Sequence, residues 1–387
     1  MATKFFERRR KEDMPVLAIC YDFDKTLSPD DMQAQGYIQS VGYDVGEFWK
    51  ETNELAEGNE MDQNLAYMLK MVKEAEGNIV FSRKTLADYG SRVTLFPGVE
   101  DWFSRIREYG RSRGVIIEHY IISSGLKEMI EGTPVAGEFE KIYASSFYYN
   151  ERGIAVWPAQ VINYTNKTQF LFRIEKGVLD VNDFAVNDSF PPEELRVPFR
   201  NIVYIGDSDT DVPCKKLVNA NGGHSIGVYH TENKDKTKVH KMMRDRRIKY
   251  FAPADYREGA ELDVLVKAII DRTASNEVLE SKYYECKGAT AAADSNIGAN
   301  EQRKSDLIMA LEDSHSFAQT HKVIAELSAV NDWTLDEKEL LFTAALANSQ
   351  VHYILGDGDV HAFFSSLLSN ARISDAALEI KAELEKE

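Results

Sequence analysis

The sequence predicts a doubly wound α/β core, a Rossmann-like parallel sheet with an inserted α-helical cap and a C-terminal α-helical domain. Three observations carry this. Short apolar runs rich in strand formers recur with room for a helix between them, the stretch 28–94 breaks that rhythm with helical periodicity alone, and apolar spacing beyond about residue 273 is helical again.

The first run, Val16–Tyr21 (VLAICY), is apolar throughout and is bounded by Pro15 and two aspartates, as expected of a central strand buried on both faces. Further runs at 115–122 (VIIEHYII), 201–205 (NIVYI) and 225–229 (SIGVY) supply parallel partners, with helical patterns at 99–109 and 211–219 between them. NERG, between two runs of strand formers in 143–157, predicts a hairpin. Amphipathic patterns at 46–55 and 62–75 make 28–94 a helical insertion. The segment 288–300 (GATAAADSNIGAN) is small and polar, which suggests a linker. Helical patterns follow at 307–327, 337–354 and 360–368, with Thr334 and Glu337 as a capping box. The expected division is 1–27 and 95–275 for the core, 28–94 for the insertion, 276–303 for a linker region and 304–387 for the C-terminal helices.

With 46 basic and 63 acidic side chains the formal charge is −17, so no overall positive field is available to hold a nucleic-acid backbone. Three cysteines without ligand spacing fit a reducing compartment. With no apolar run long enough for a membrane span, the expectation is a cytoplasmic protein without membrane or nucleic-acid partners. A small anionic substrate stays compatible with this charge, because a bound cation and a few lysines can reverse the field locally.

Four features fall at predicted strand ends, where open parallel sheets bind ligands. They are Asp22-Phe23-Asp24-Lys25-Thr26 after the first run, Ser123-Ser124-Gly125 after the second, Lys167 opening a helical pattern, and Gly206-Asp207-Ser208-Asp209-Thr210-Asp211 after NIVYI. Converging carboxylates repel one another unless a cation sits among them, and Mg2+ suits an all-oxygen site. One carboxylate can then attack phosphorus while another, two residues on, handles protons; a hydroxyl and an amine steady the phosphoryl oxygens. Taken singly, Ser123 also fits a helix N-cap, Lys167 an exposed helix residue, and Asp209 a surface position. Lys176 is a second candidate for the amine. Gly356-Asp357-Gly358-Asp359 lacks the remaining ligands of a calcium loop and fits a helix break. Arg83, Lys84 and Lys70 fit solvated helix faces.

In this order the motifs Asp22-Phe23-Asp24-Lys25-Thr26-Leu27, Ser123, Lys167 and Gly206-Asp207-x-x-x-Asp211 resemble the haloacid dehalogenase superfamily, in its phosphoserine-phosphatase-like branch with a helical cap. The resemblance covers residues 16 to about 273. It implies a Mg2+-dependent phosphatase acting on a small phosphorylated metabolite through an aspartyl phosphate, with Asp22 as nucleophile and Asp24 as general acid and base. It implies Ser123, Lys167 and Thr26 on the phosphate side, Thr26 also supporting its loop, and Asp22, Asp24 (through its carbonyl), Asp207 and Asp211 around the metal. Asp211 is left either as a ligand through water or as the partner orienting Lys167. The step of 40 positions from Lys167 to Asp207 exceeds the family's spacing, and 183–199 reads as an added surface loop. The C-terminal helices have no counterpart in the pattern and offer a route to a homodimer. A mutase, a carbon–halogen hydrolase, a phosphorylatable receiver and a partner-binding module built on the C-terminal helices are the rival readings.

Overall fold

In the computed structural model the described residues are 14–233, 235–294 and 298–385. The seven strands are β1 (Val16–Tyr21), β2 (Ile116–Leu126), β3 (Lys141–Tyr149), β4 (Ala155–Gln160), β5 (Ile202–Gly206), β6 (His224–Tyr229) and β7 (Tyr250–Pro253). They form one sheet in the order β4-β3-β2-β1-β5-β6-β7, parallel except for the antiparallel β3–β4 hairpin. The chain builds outward from β1 through β2 and β3, then crosses back to β5 on the other side. The carboxyl ends of β1, β2 and β5 therefore lie side by side at the switch point.

Alternation explains why β1 is apolar throughout. Leu17, Ile19 and Tyr21 enter one core layer, while Val16, Ala18 and Cys20 enter the layer on the opposite face. Helices α5 (Val99–Ser112), α7 (Thr168–Lys176), α8 (Val212–Ala220) and α9 (Thr237–Arg244) accompany the sheet, after the insertion helices α1 (Tyr37–Ser40), α2 (Val45–Gly58), α3 (Gln63–Ala75) and α4 (Arg83–Gly90). The chain leaves the core at Leu27 and returns at Phe96, whose N–H donates to the Leu27 carbonyl at 2.8 Å. Short helix α6 (Lys127–Gly132) seats the insertion: α4 lies so close that a Cβ on Gly132 would stand 2.0 Å from the Ala87 carbonyl oxygen.

Residues divide into two compact units, Met1–Leu279 and Glu280–Glu387. The expected linker is helical where it begins, because 276–294 continues α10 (Glu261–Asp294). Its small residues are largely alanines, the strongest helix formers, so small size here favours helix over flexibility. Positions 295–297 lie outside the described residues. The second unit holds α11 (Ala299–Glu312), α12 (Phe317–Ser328), α13 (Leu335–Ala347), α14 (Ser349–Tyr353), α15 (Gly358–Leu368) and α16 (Asp375–Leu384) around an apolar core including Ile324, Leu341, Val351 and Phe364. The capping box forms at α13: Thr334 Oγ1 accepts from Glu337 N at 3.2 Å, and Glu337 Oε2 accepts from Thr334 N at 2.7 Å. Asp357 and Gly358 mark the break between α14 and α15, as expected.

Two features escaped the sequence. β7 is a short, half-buried edge strand with too little periodicity to register. The added loop around 183–199 is tied to the sheet by a buried pair, Arg196 with Glu118 of β2, whose Tyr120 hydroxyl also donates to Glu118. No helix among the described residues is long and apolar enough to cross a membrane. The three cysteines are free.

His119 lies fully buried in β2, its Nδ1 hydrogen-bonded to the Tyr21 hydroxyl at 3.0 Å, and that hydroxyl oxygen accepts from Trp102 Nε1. Burial holds its imidazole down to about 3, so it folds neutral. The unfolded chain takes up that proton first as pH falls below about 6.5, so acid costs stability until the folded pKa is reached. We predict that the stability advantage of wild type over His119→Gln shrinks on acidification by about 1.4 kcal/mol per pH unit within that window. Urea unfolding at stepped pH measures it; parallel curves would refute the assignment.

Candidate active site

The loop after β1 pivots on one carbonyl. Thr26, Leu27 and Ser28 all donate their N–H groups to Phe23 O, at 3.2, 2.9 and 3.2 Å, and Lys25 sits at φ +56° to make the tight turn. Phe23 is fully buried in the core, and the alternation sets Asp22 and Asp24 on the other side of the chain from it. Asp22 continues the ladder to β5 by donating its N–H to Ile205 O at 3.0 Å. Adjacent strand ends thus deliver Asp22 and the Gly206–Asp211 loop to one place.

Lys167 closes the arrangement. It ends a 3-10 turn, Tyr164–Lys167, immediately before α7, and it is wholly buried. Its Nζ donates to Asp211 Oδ1 at 2.7 Å and stands 3.4 Å from Asp22 Oδ2. Burial alone would lower the lysine's pKa, but the charges of Asp211 and Asp22 outweigh it and keep the ammonium above its usual range. Asp211 shows the converse. Burial would raise it, yet Lys167 and Lys215 hold it down to about 2.

Asp211 is also saturated. Oδ1 accepts from Lys167 and from the Tyr204 hydroxyl at 2.9 Å, while Oδ2 accepts from Ser208 N at 3.2 Å and Ser208 Oγ at 3.1 Å with Lys215 Nζ 3.7 Å away. Its oxygens are committed to donors, which favours the orienting role over direct metal ligation.

Asp22 behaves differently. Burial, then the neighbouring charge of Asp211, raises its carboxyl to about 7 against the opposing pull of Lys167. Asp24 is likewise raised by burial, then by Asp31 and Asp22, although Met32 N donates to its Oδ1 at 2.8 Å. Asp207 is raised by burial despite Lys238, whose Nζ lies 3.1 Å from its Oδ2. Oxygens of Asp22, Asp207 and Asp211 lie within 4.8 Å of one another. An all-oxygen donor set in which Asp22 and Asp207 are pushed towards protonation fits a hard divalent cation, which relieves the crowding.

Ser123 is not a helix cap. β2 runs on to Leu126, and Leu126 stands at the N-cap of α6. The buried Ser123 Oγ accepts from Gly125 N at 3.1 Å. Gly125 is required by close approach: a Cβ there would lie 2.8 Å from Asp24 Oδ2 and 3.3 Å from Ser123 Oγ. Thr26 accepts from Asp207 N through Oγ1 at 3.2 Å, and its carbonyl accepts from the Tyr256 hydroxyl. It joins the two acidic loops and so supports them.

The competing candidates fall away by geometry. Lys176 donates to the carbonyls of Val186 and Asp188, binding the added loop. Asp209 is exposed beside Arg247. Arg83, Lys84 and Lys70 pair with Glu131, Asp88 and Glu51. Sequence reasoning missed Tyr204, Lys215 and Tyr67. Lys215 carried a signal, being four residues past Asp211 on a helix. Tyr67, from α3, carried none: only folding brings its hydroxyl to the Ser124 carbonyl at 2.8 Å.

No protein-family model matches the chain. A curated protein of Borreliella burgdorferi, itself described as uncharacterized, is 28% identical over 277 residues, covering 64% of this chain and 94% of its own length. Among solved structures, a probable phosphoserine phosphatase from Vibrio cholerae is 14% identical with a TM-score of 0.44, covering 70% of each chain. A HAD family hydrolase from Salmonella enterica serovar Typhi is 16% identical with a TM-score of 0.43, covering 67% of this chain and 73% of that one.

Removing the shared cation should be severe. We predict that Lys167→Met, which strands two buried carboxylates, costs about 3–5 kcal/mol of stability at neutral pH, measured by urea unfolding. A loss below about 1 kcal/mol would mean that the pairings with Asp22 and Asp211 contribute little.

Proposed function

We propose that this protein is a Mg2+-dependent phosphatase of the haloacid dehalogenase type, hydrolysing a small phosphate monoester through an aspartyl phosphate on Asp22. The observation that carries this is the position of Lys167: one buried ammonium lies between the Asp22 carboxylate and an Asp211 carboxylate already saturated with donors. That leaves Asp22 as the buried carboxylate with an oxygen free to react.

A bound magnesium ion, held by the Asp22 and Asp207 carboxylates and the Asp24 carbonyl, would offset the charge of an incoming phosphate. In the first half-reaction an Asp22 oxygen attacks phosphorus, and the ester oxygen departs with a proton from Asp24. The raised pKa of Asp24 suits it to hold that proton at neutral pH. In the second, Asp24 takes a proton from water as the water oxygen attacks phosphorus, which releases phosphate and restores the Asp22 carboxylate. Lys167 and Ser123 face charge spreading over the phosphoryl oxygens. Lys167 is held in place by Asp211, and Asp211 in turn by Tyr204 and Ser208.

The expected result is that Asp22→Asn lowers hydrolysis of p-nitrophenyl phosphate by at least about 1000-fold with an unchanged circular dichroism spectrum. Wild-type turnover in that variant would remove Asp22 from the nucleophile's role. Chelation should silence the wild type, and added Mg2+ should restore it; full activity after exhaustive chelation would overturn the metal's part.

A further inference from the structure

A cleft of about 250 Å³ opens beside Asp207, on the side of the site away from β2, and the proposed reaction does not use it. Lys25, Pro29, Asp207, His230, Asp235 and Lys238 line it, so it lies between the turn after β1 and the segment that joins β6 to α9. It reaches the acidic cluster directly, because Asp207 belongs to both.

The wall that α9 supplies reverses the sign of the protein. The 18 residues from Glu232 to Lys249 hold eight lysines and arginines against three acids, in a chain whose net charge is −17. Val239 and Met242 bury one face of α9, which leaves Lys238, Lys241 and Arg244, spaced three residues apart, exposed along another. Lys238 pairs with Asp207 at 3.1 Å, whereas no ion pair forms at Lys241 or Arg244 among the described residues. On the opposite wall Lys25 is exposed and donates to Asp31 at 2.8 Å. His230 Nδ1 accepts from Glu232 N at 3.1 Å, which leaves Nε2 to carry the hydrogen as a donor. Asp235 is the cleft's own acid, but its Oδ1 is committed to Thr237 N at 2.9 Å, at the start of α9.

We propose that this cleft is the subsite for a second phosphate on the substrate, which makes the substrate a small bisphosphate. The inference rests on the phosphatase proposal and adds to it the class of ester that the site takes. A divalent ion at Asp207 would take over the partner that Lys238 now has, and the released ammonium would face the cleft with Lys25 and the Nε2–H of His230. Donors from three separate segments match the three oxygens of a phosphate, and Lys241 and Arg244 add charge along the same helix. The steps are short: oxygens of Asp22 and Asp207 lie within 4.8 Å of each other, and Lys238 Nζ is 3.1 Å from Asp207 Oδ2. That suits two phosphates joined by a few carbon atoms. A carboxylate brings less charge and fewer oxygens, and a cleft of this size encloses one phosphate group, not a polymer strand.

The test compares the bisphosphates of propanediol through hexanediol, each with its own monophosphate, and uses p-nitrophenyl phosphate to report the core chemistry. For the wild type with Mg2+ the expected result is a preference of at least about 10-fold per phosphate in kcat/KM for one or more bisphosphates, the scale of one hydrogen bond to a charged group. Lys241→Gln lies outside the reacting groups and should lower that preference while aryl phosphate turnover stays unchanged. The double variant Lys238→Gln/Lys241→Gln should cut it to about 3-fold or less, through KM more than kcat. Binding supplies a second readout: by titration calorimetry an alkane bisphosphonate of the preferred length should bind the wild type at least about 10-fold more tightly than the matching monophosphonate, and the double variant should erase the difference. If the double variant loses turnover, the calorimetric comparison decides. Turnover of the aryl phosphate with no bisphosphate preference at any length, or with a preference that the double variant keeps, overturns the subsite and leaves the phosphatase proposal standing. Absence of turnover on every ester would sink the phosphatase proposal itself and the subsite with it.

Discussion

One buried ammonium holds the centre of this molecule together. Lys167 reaches from the segment before α7 into the space between two strand ends, where Asp22 and Asp211 would otherwise face each other as like charges in a medium that screens them poorly. Because Asp211 is also bound by Tyr204, Ser208 and Lys215, the carboxylate that Lys167 donates to is itself fixed in place. The lysine's charge is delivered to one face of Asp22. The asymmetry makes the two carboxylates unlike: one is locked low by its donors, and the other is raised.

The same economy appears at the seam between the sheet and the inserted helices. Met32, at the start of the insertion, fixes Asp24 through its N–H, and Tyr67 of α3 fixes the end of β2 through the Ser124 carbonyl. Asn64 and Asp62, beside Tyr67 at the start of that helix, hold Ile162 and Asn163 just ahead of Lys167. The insertion is therefore tied to three of the loops that carry the candidate site.

Much of this was legible because it is local. The continuous apolar run of β1 could only be a strand buried on both faces, and its alternation forces Asp22 and Asp24 away from Phe23. The Gly206–Asp211 loop follows a second such run, so two acidic strand ends were evident. The errors arose where local composition has two meanings. Small residues at 288–294 stood for flexibility but form helix, because alanine loses no side-chain entropy there. For Ser123 it is the alternative, an N-cap, that fails: the residue stays in the strand, because β3 extends its pairing to Leu126.

By itself the sequence determined the succession of strands along the chain up to β6, the presence of the paired acids and the existence of an inserted helical segment, all of which follow from periodicity and from residues close in the chain. Tertiary structure alone decided that Asp211 belongs to Lys167, that Thr26 braces Asp207, and that Tyr67 reaches the Ser124 carbonyl. Those outcomes depend on which charges and donors share a dry interior. That neighbourhood joins residues tens to hundreds of positions apart, and no window of sequence contains it.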